Sequence, residues 1–435
     1  MPLSSSLNVN YRPNSVNVTE KYTPLSDIKV AKGADAVVVQ GIAQNRITTF
    51  STIGVGINRL LYLTEDIDTI IQRETNNDPP LVVVSSNRSK WIKSGYEKAQ
   101  IILQGLGETY FENVNDVKAL TDGAVPIYLP VRLGEAAAQN RSVYIFVAID
   151  EAKQYRTALN GSGIIVVGWK TLGGNPLAGF GASRYAALEF FKYLYQTHEI
   201  CAKMWMFDDN VSYINTFAGL TAIEGELKET YGMGFRGATQ VSAESVFINK
   251  SRKTAPDPIA ATEHINAPIL QQAVLWNVAK LNTLGISFSP YFITSAEDTS
   301  LTKYLNDLNV ANCQYYKGCE IFKGNTDPYD NTEQVKKVVA SRNSLLNFCF
   351  RDKNAVPFTS GAVPAAKSLE EIINAARNDE KKPPRIESVR DQESGDQTYS
   401  KAVEQTLSAG LGVGIKLPAG VFKPGALNLT FKIVN

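Results

Sequence analysis

The sequence predicts an α/β protein built on a mostly parallel β-sheet. Short and almost continuously apolar segments occur at residues 143–149, 163–168 and 204–207. Segments with the apolar spacing of amphipathic helices separate them, and each apolar run ends at a polar or glycine residue. Strands that are buried on both faces and joined by helices form parallel sheets, which bind ligands outside the carboxyl ends of their strands.

The composition is that of an ordinary globular protein. The 435 residues are 44% hydrophobic and 20% charged, which excludes a fibrous or disordered chain and provides the length for more than one core. Lys and Arg total 44 and Asp and Glu total 43, so the formal net charge is +1. Because no overall field attracts polyanions, any contact with nucleic acid would depend on a local patch of charge.

Residues 1–120 are predicted to form an N-terminal accessory α/β region. The apolar runs at residues 36–39 and 81–84 are short, β-branched and flanked by turn-forming residues, as buried strands are. A polar loop at residues 85–90 and a helical pattern at residues 91–105 follow the second run. Such a loop can bind an anion, because a helix N-terminus offers unpaired N–H groups, but the pattern favours a simple connecting loop in the accessory layer.

Residues 121–310 are predicted to form the ligand-binding core. Strands are expected at residues 125–131, 143–149, 163–168 and 204–207, and helices at residues 151–159, 182–195, 268–284 and 301–308. Asp150 is expected to cap the first of these helices. Arg132, Asp150 and Asp208 each lie at the end of a predicted strand, so we expect them at the carboxyl edge of the sheet.

The remainder of the chain has weaker patterns. Residues 311–378 are expected to extend the core with helical and mixed structure. Residues 379–398 are charged, contain prolines and carry few large apolar side chains, which is typical of a linker or a disordered loop. Residues 399–435 are expected to be ordered again, because the alternating apolar pattern at residues 427–434 indicates a half-buried strand.

The sequence has no feature of an export signal or a membrane anchor. Residues 1–23 are polar, and no apolar stretch reaches the length of about 18 residues that spans a bilayer. The four cysteines lack the spacing of a zinc site, so a reduced interior is expected. We therefore expect a soluble, cytoplasmic protein without membrane contact.

The most informative motif is the run of Asp208, Asp209 and Asn210 at the end of an apolar strand. Adjacent carboxylates raise each other's pKa, so they need a cationic or hydrogen-bonded partner. Oxygen ligands of this kind suit Mn²⁺ or Mg²⁺, which can bridge to the diphosphate of a nucleotide, and such a cation is the predicted cofactor. In the alternative interpretation, Asp208 caps a following helix and Asp209 faces water.

Two further groups are predicted to join this motif. Gly181 and Arg184 open the helix before the strand, where glycine lets the backbone approach a phosphate and arginine can clamp an anion. Glu297 and Asp298 open a later helix, where a carboxylate can be aimed into a cleft as a general base. Taken alone, the acidic pair fits ordinary N-terminal helix charges equally well.

Together these motifs resemble inverting glycosyltransferases of the GT-A fold. Those enzymes combine a nucleotide-binding α/β half, an arginine-bearing helix, a strand ending in a DxD-type motif, and a later acidic pair that opens a helix. The resemblance covers residues 125–308. It implies that Asp150 contacts the base or ribose of the donor and that Asp208 contacts the ribose or the metal. Asn210 would occupy the metal position, where the family commonly has aspartate, and Asp298 would face the acceptor hydroxyl.

The run from Trp205 to Asn210 also resembles phage glycosyltransferases that accompany TET/JBP-type dioxygenases and glucosylate modified pyrimidines in DNA. The predicted function is transfer of a sugar from a nucleotide-sugar donor to an acceptor hydroxyl, and the narrower resemblance implies hydroxymethylated pyrimidine in DNA as the acceptor. A nucleotidyltransferase, which would release pyrophosphate from a nucleoside triphosphate, stays open as a second enzyme class. A structural protein, such as a virion component with an α/β core, stays open as a non-catalytic alternative.

Overall fold

The computed structural model describes residues 60–93, 141–169, 180–209, 211–216, 220–237, 265–267, 269–288, 297–323, 358–360, 363–367, 415–416 and 430–433. The strands expected at residues 36–39 and 125–131 and the linker at residues 379–398 lie outside this part of the chain. Within it, no helix is both long and apolar enough to span a bilayer.

Most of the described strands belong to one large mixed sheet. The strands are β1 (Leu60–Leu63), β2 (Leu81–Val84), β3 (Val143–Ala148), β4 (Ile165–Trp169), β5 (Lys203–Asp208), β6 (Val211–Thr216), β7 (Gly232–Gly237), β8 (Ile265–Asn266), β9 (Ala273–Asn277), β10 (Cys313–Lys323), β11 (Phe358–Ser360), β12 (Val363–Lys367), β13 (Ile415–Lys416) and β14 (Thr430–Ile433). The order in the large sheet is β14-β1-β4-β3-β2-β5-β9-β7-β10-β6, with β8 paired to β10. The strands β12, β11 and β13 form a separate small sheet.

The centre of the large sheet is parallel. Strands β4, β3, β2 and β5 run in one direction, β9 pairs antiparallel with β5, and β7 pairs antiparallel with β9. The apolar segments that predicted the central strands form them, because each is buried along nearly its whole length. The α/β class, with a mixed sheet flanked by helices, is therefore confirmed.

Helices cover both faces of the sheet. They are α1 (Ile67–Glu74), α2 (Ile149–Ala158), α3 (Phe180–His198), α4 (Leu220–Glu226), α5 (Val278–Thr283) and α6 (Glu297–Leu308), followed by a short 3₁₀ helix (Val310–Asn312). Apolar side chains of α1, α3, α5 and α6 share one core with the sheet, and those of α2 and α4 share a second core on the opposite face. The sheet is thus the middle layer of a three-layer core.

The order of the central strands reverses between β2 and β5. From β2 the chain continues to β3 and then β4 on one side, and β5 returns to pair with β2 on its other side. The connecting helices α2 and α3 accordingly lie on opposite faces. A crevice opens outside the carboxyl ends of the strands where the order of a sheet reverses, and ligands bind in it. The ends of β2 and β5 are therefore the expected binding position.

Two predicted helix features are wrong. The helix expected at residues 268–284 is instead strand β9 followed by the six-residue helix α5. The short apolar run that forms β9 fits either structure by periodicity, and pairing with β5 and β7 makes it a strand. Asp150 does not cap α2, because the helix begins at Ile149, two residues earlier than predicted, and its N-cap is Ala148.

The large sheet also crosses the predicted boundary at residue 120. Strand β2, from the region predicted as accessory, lies between β3 and β5 at the centre of the sheet. Strand β14, from the predicted C-terminal segment, pairs with β1 at one edge. Long-range pairing of this kind leaves no local signal in the sequence, since a strand that is buried on both faces looks the same wherever its partners are.

Candidate functional site

Arg184 lies at the centre of a cluster of charged side chains. It stands in the first turns of α3, and its guanidinium donates through Nη2 to Asp208 Oδ1 and through Nε to Glu297 Oε1, the latter at 3.0 Å. The side chains of Arg184 and Glu297 are 6% and 10% exposed, whereas that of Asp208 is 23% exposed. Helix α3, strand β5 and helix α6 therefore converge on one partly open ionic cluster.

Asp208 is the residue that places this cluster at the end of the sheet. It ends β5 and pairs in register with Val84, the last residue of β2, so it stands where the strand order reverses. Its backbone N–H donates to the carbonyl of Gln272 at 2.7 Å. Gln272 has φ of 71°, a left-handed conformation that is strained for a residue with a side chain. The backbone beneath Asp208 is thus held in a defined geometry.

Asp298 lies in the first turn of α6, directly after Glu297. Its Oδ1 accepts hydrogen bonds from the backbone N–H of Thr299 at 2.6 Å and from the hydroxyl of Thr299 at 3.3 Å. Burial raises the pKa of Asp298 above its ordinary value, Arg184 and the backbone of Thr299 oppose the shift, and Asp208 adds to it. A carboxylate with a raised pKa is a better proton acceptor than an ordinary one.

The cluster contains more acid than base among the described residues. Burial tends to lower the pKa of Arg184, but the charges of Asp208, Glu297 and Asp298 more than compensate, so its pKa lies above its ordinary value and it stays charged. One guanidinium meets three carboxyl groups in this cluster.

Asp209 points away from Asp208. Its Oδ1 pairs with Nη1 of Arg88 and its Oδ2 accepts a hydrogen bond from Ser85 Oγ at 2.6 Å. The Asp209 side chain is only 2% exposed. Burial raises the pKa of Asp209, while Arg88 and Ser85 act to lower it. Successive side chains of an extended segment point in opposite directions, which is why these neighbours have different partners.

Because the side chains of Asp208 and Asp209 point in opposite directions, only one of them is placed to bind a divalent cation. Mg²⁺ and similar ions bind proteins through one or two carboxylates together with the phosphates of a ligand. Asp208 fits, because it is partly exposed at the strand end. Asp209 does not fit, because both of its oxygens are engaged on the buried side. Asn210 lies outside the described residues, within which no three His, Cys, Asp or Glu side chains converge on a metal site.

The other predicted donor-binding residues have different placements. Gly181 is buried in the first turn of α3, one turn before Arg184. Asp150 is exposed in the first turn of α2, at the carboxyl end of β3. Arg132 lies outside the described part of the chain. The structure thus joins Arg184, Asp208 and the acidic pair and leaves the donor-binding role of Asp150 untested.

The residues on the other side of the strand end have only a partial signal in the sequence. The loop at residues 85–90 fitted either an anion site or a simple connection, and it contains the arginine and the serine that bind Asp209. Arg88 and Asp209 are 121 positions apart in the chain. Their contact depends on the pairing of β2 with β5, which no local pattern predicts.

No protein-family model, curated protein or solved structure matches this chain at a significant level. A fold class by itself does not assign an activity, because one fold can host many unrelated sites. The geometry and chemistry of the charged cluster and its place in the sheet are therefore the evidence for function.

Proposed function

We propose that this chain is a metal-assisted, inverting glycosyltransferase that moves a sugar from a nucleotide-sugar donor to an acceptor hydroxyl. The main support for this proposal is that Arg184 binds both Asp208 and Glu297, which lie 24 and 113 positions away in the sequence. The sequence motifs around these residues resemble those of GT-A enzymes. In the fold they form one cluster, at the position where an α/β sheet binds its ligands.

Asp298 is proposed as the general base. Its carboxylate accepts the proton of the acceptor hydroxyl while the hydroxyl oxygen attacks the anomeric carbon of the sugar. The bond from that carbon to the donor diphosphate breaks, and the nucleoside diphosphate departs with the bonding electrons. The raised pKa of Asp298, caused first by burial, supports this role.

Arg184 and Glu297 are proposed to supply and orient a positive charge for the leaving diphosphate. Arg184 is a permanent cation beside Asp208, and Glu297 fixes its direction through the hydrogen bond to Nε at 3.0 Å. A fixed positive charge stabilises a leaving diphosphate without a costly reorganisation of solvent. Glu297 is therefore a positioning residue in this scheme, and Asp298 is the member of the acidic pair that performs the chemistry.

Asp208 is proposed to hold the divalent cation, Mn²⁺ or Mg²⁺, together with the donor. It is the most exposed carboxylate among the contacts of Arg184. When bound, such a cation supplies charge neutralisation for the leaving nucleoside diphosphate. The nucleotide itself is proposed to occupy the crevice outside β2 and β5. Hydroxymethylated pyrimidine in DNA is the acceptor implied by the resemblance to the phage enzymes.

A panel of nucleotide sugars tests this proposal. Each donor is mixed with the protein with and without Mn²⁺, and melting temperature and donor hydrolysis are recorded. We expect one donor to raise the melting temperature, with a larger shift in Mn²⁺, because a ligand that binds only the folded state stabilises it. Release of a nucleoside diphosphate supports glycosyl transfer, whereas release of pyrophosphate from nucleoside triphosphates would indicate a nucleotidyltransferase. The absence of any donor response would contradict the proposal and favour a structural protein.

The matched control for the panel is Asp208→Asn. This variant keeps the size of the side chain and removes its charge, so we expect the additional shift caused by Mn²⁺ to disappear. An unchanged response to Mn²⁺ would show that Asp208 does not hold the cation.

A further inference from the structure

Asp209 belongs to a buried hydrogen-bonded group on the face of the sheet opposite Arg184. Its two oxygens bind Arg88 Nη1 and Ser85 Oγ. The side chains of Arg88 and Asp209 are 5% and 2% exposed. A buried ion pair of this kind stabilises a fold weakly or not at all relative to apolar side chains, but losing one partner is costly. Stability alone therefore does not explain why this ion pair lies beside the proposed donor crevice.

Tyr155 of α2 completes the group. Its hydroxyl accepts the backbone N–H of Arg88 at 3.0 Å and lies 2.6 Å from Ser85 Oγ. The single hydrogen of Ser85 is donated to the Asp209 carboxylate, which can only accept, so the hydroxyl of Tyr155 must be the donor to Ser85. Arg88, Tyr155, Ser85 and Asp209 thus form a closed ring in which every donor has a defined direction.

The segment after β2, residues 85–88, makes further hydrogen bonds to α2. Glu151 accepts hydrogen bonds from Ser86 Oγ at 2.9 Å and from the backbone N–H of Asn87 at 2.7 Å. Asn87 has φ of 62°, the left-handed region that a residue with a side chain rarely adopts. Such a conformation persists only where surrounding contacts fix it. The segment after β2 is therefore fixed by α2 on one side and by the end of β5 on the other.

We infer that Asp209 is a positioning residue for the donor site. It ties residues 85–88, which follow β2, to the end of β5, which carries Asp208, and so sets the two walls of the crevice at the reversal of strand order. The inference rests on the proposed function, because it assigns the crevice to the donor nucleotide. It also explains why a carboxylate is needed, since an amide cannot accept from Arg88 and Ser85 with both of its polar atoms.

Steady-state kinetics of Asp209→Asn and Tyr155→Phe test the inference. Both variants keep the size of the side chain and open the ring, so we expect the KM for the donor to rise about tenfold while kcat changes by less than about twofold. The Mn²⁺ concentration for half-maximal activity should stay at the wild-type value in both. A shift of that midpoint in Asp209→Asn that is absent from Tyr155→Phe would make Asp209 a metal ligand and overturn the inference.

Tyr144→Phe is the matched control. Tyr144 is also a buried tyrosine whose hydroxyl donates to a carboxylate, Glu74, at 2.6 Å, but it lies near the opposite end of the sheet. A general loss of stability would lower the active fraction in Tyr144→Phe and Tyr155→Phe alike and leave the donor KM unchanged. We expect the donor KM to rise only in Tyr155→Phe, and an equal KM in both variants would contradict the inference.

Amide hydrogen exchange gives a readout that does not depend on activity. We expect the amides of residues 85–88 to exchange at least about tenfold faster in Asp209→Asn and Tyr155→Phe than in the wild type, because the ring no longer holds them. Unchanged exchange would overturn the positioning role even if the enzyme is active. Suppose that exchange is faster in the variants but the protein binds no nucleotide sugar. The ring would then be a structural feature that holds residues 85–88, and the proposed function would be refuted.

Discussion

Asp208 and Asp209 are neighbours in the sequence, yet each has its own arginine. Arg184 reaches Asp208 from α3, and Arg88 reaches Asp209 from the segment after β2. Because adjacent side chains of an extended segment point apart, the two carboxylates do not have to share one cation. The metal prediction treated them as a single set of ligands. The structure instead separates their partners, because Asp208 binds Arg184 and Asp209 binds Arg88 and Ser85.

The pH dependence of activity tests the role of Asp298. A general base acts when deprotonated, so kcat/KM should rise with pH through the raised pKa of Asp298. Asp208 contributes to raising that pKa, and Asp208→Asn should therefore move this acidic limb to lower pH. The check is a pH–rate profile of both proteins together with a ¹³C NMR titration of the carboxyl group. A limb that moved to higher pH would mean that another group titrates.

Strand β7 shows how tightly the elements around the site are packed. A Cβ atom on Gly232 would lie 2.6 Å from Leu270 Cδ1 and 2.8 Å from Trp276 Cζ3. Trp276 belongs to β9, the strand that separates β7 from β5. The absence of a side chain at Gly232 therefore lets β9 carry a tryptophan beside β7, within the core that α3 covers.

We expect Gly232→Ala to destabilise the protein by about 1–3 kcal/mol, because an inserted methyl group forces its packed neighbours to shift. Gly225→Ala is the matched control. Gly225 is exposed in α4 and has nothing within 4 Å of a built Cβ, so alanine should stabilise the helix by up to about 1 kcal/mol. Urea unfolding of both variants measures the difference. Equal effects of the two substitutions would contradict this account of the packing.

The elements could be predicted from the sequence more readily than their arrangement. Strands β2 to β5 are short apolar runs with polar residues after them, and helix α3 follows from its apolar spacing, so local patterns were sufficient. The order of the strands was not predictable, because β2 and β5 pair across more than a hundred positions. The same long-range pairing brings Arg88 to Asp209, which is why that side of the site was missed.

At the scale of the molecule, one sheet collects distant parts of the chain around the charged cluster. Its strands run from Leu60 to Ile433, and β14 packs Phe431 against Phe190 and Tyr193 of α3, with ring centroids 5.9 and 5.1 Å apart. The helix that carries Arg184 is therefore braced by the far end of the chain. The sheet that carries the site therefore includes strands from outside residues 121–310.

Asp298→Asn provides the most direct measurement of the central claim. The variant is compared with the wild type for sugar transfer and, by calorimetry, for binding of the nucleoside diphosphate. An amide cannot accept the proton of the acceptor hydroxyl, so we expect transfer to fall by at least about a hundredfold, with the nucleotide Kd within about twofold of the wild type. Full turnover in Asp298→Asn would contradict the assignment of the base and, with it, the glycosyltransferase mechanism proposed for this cluster.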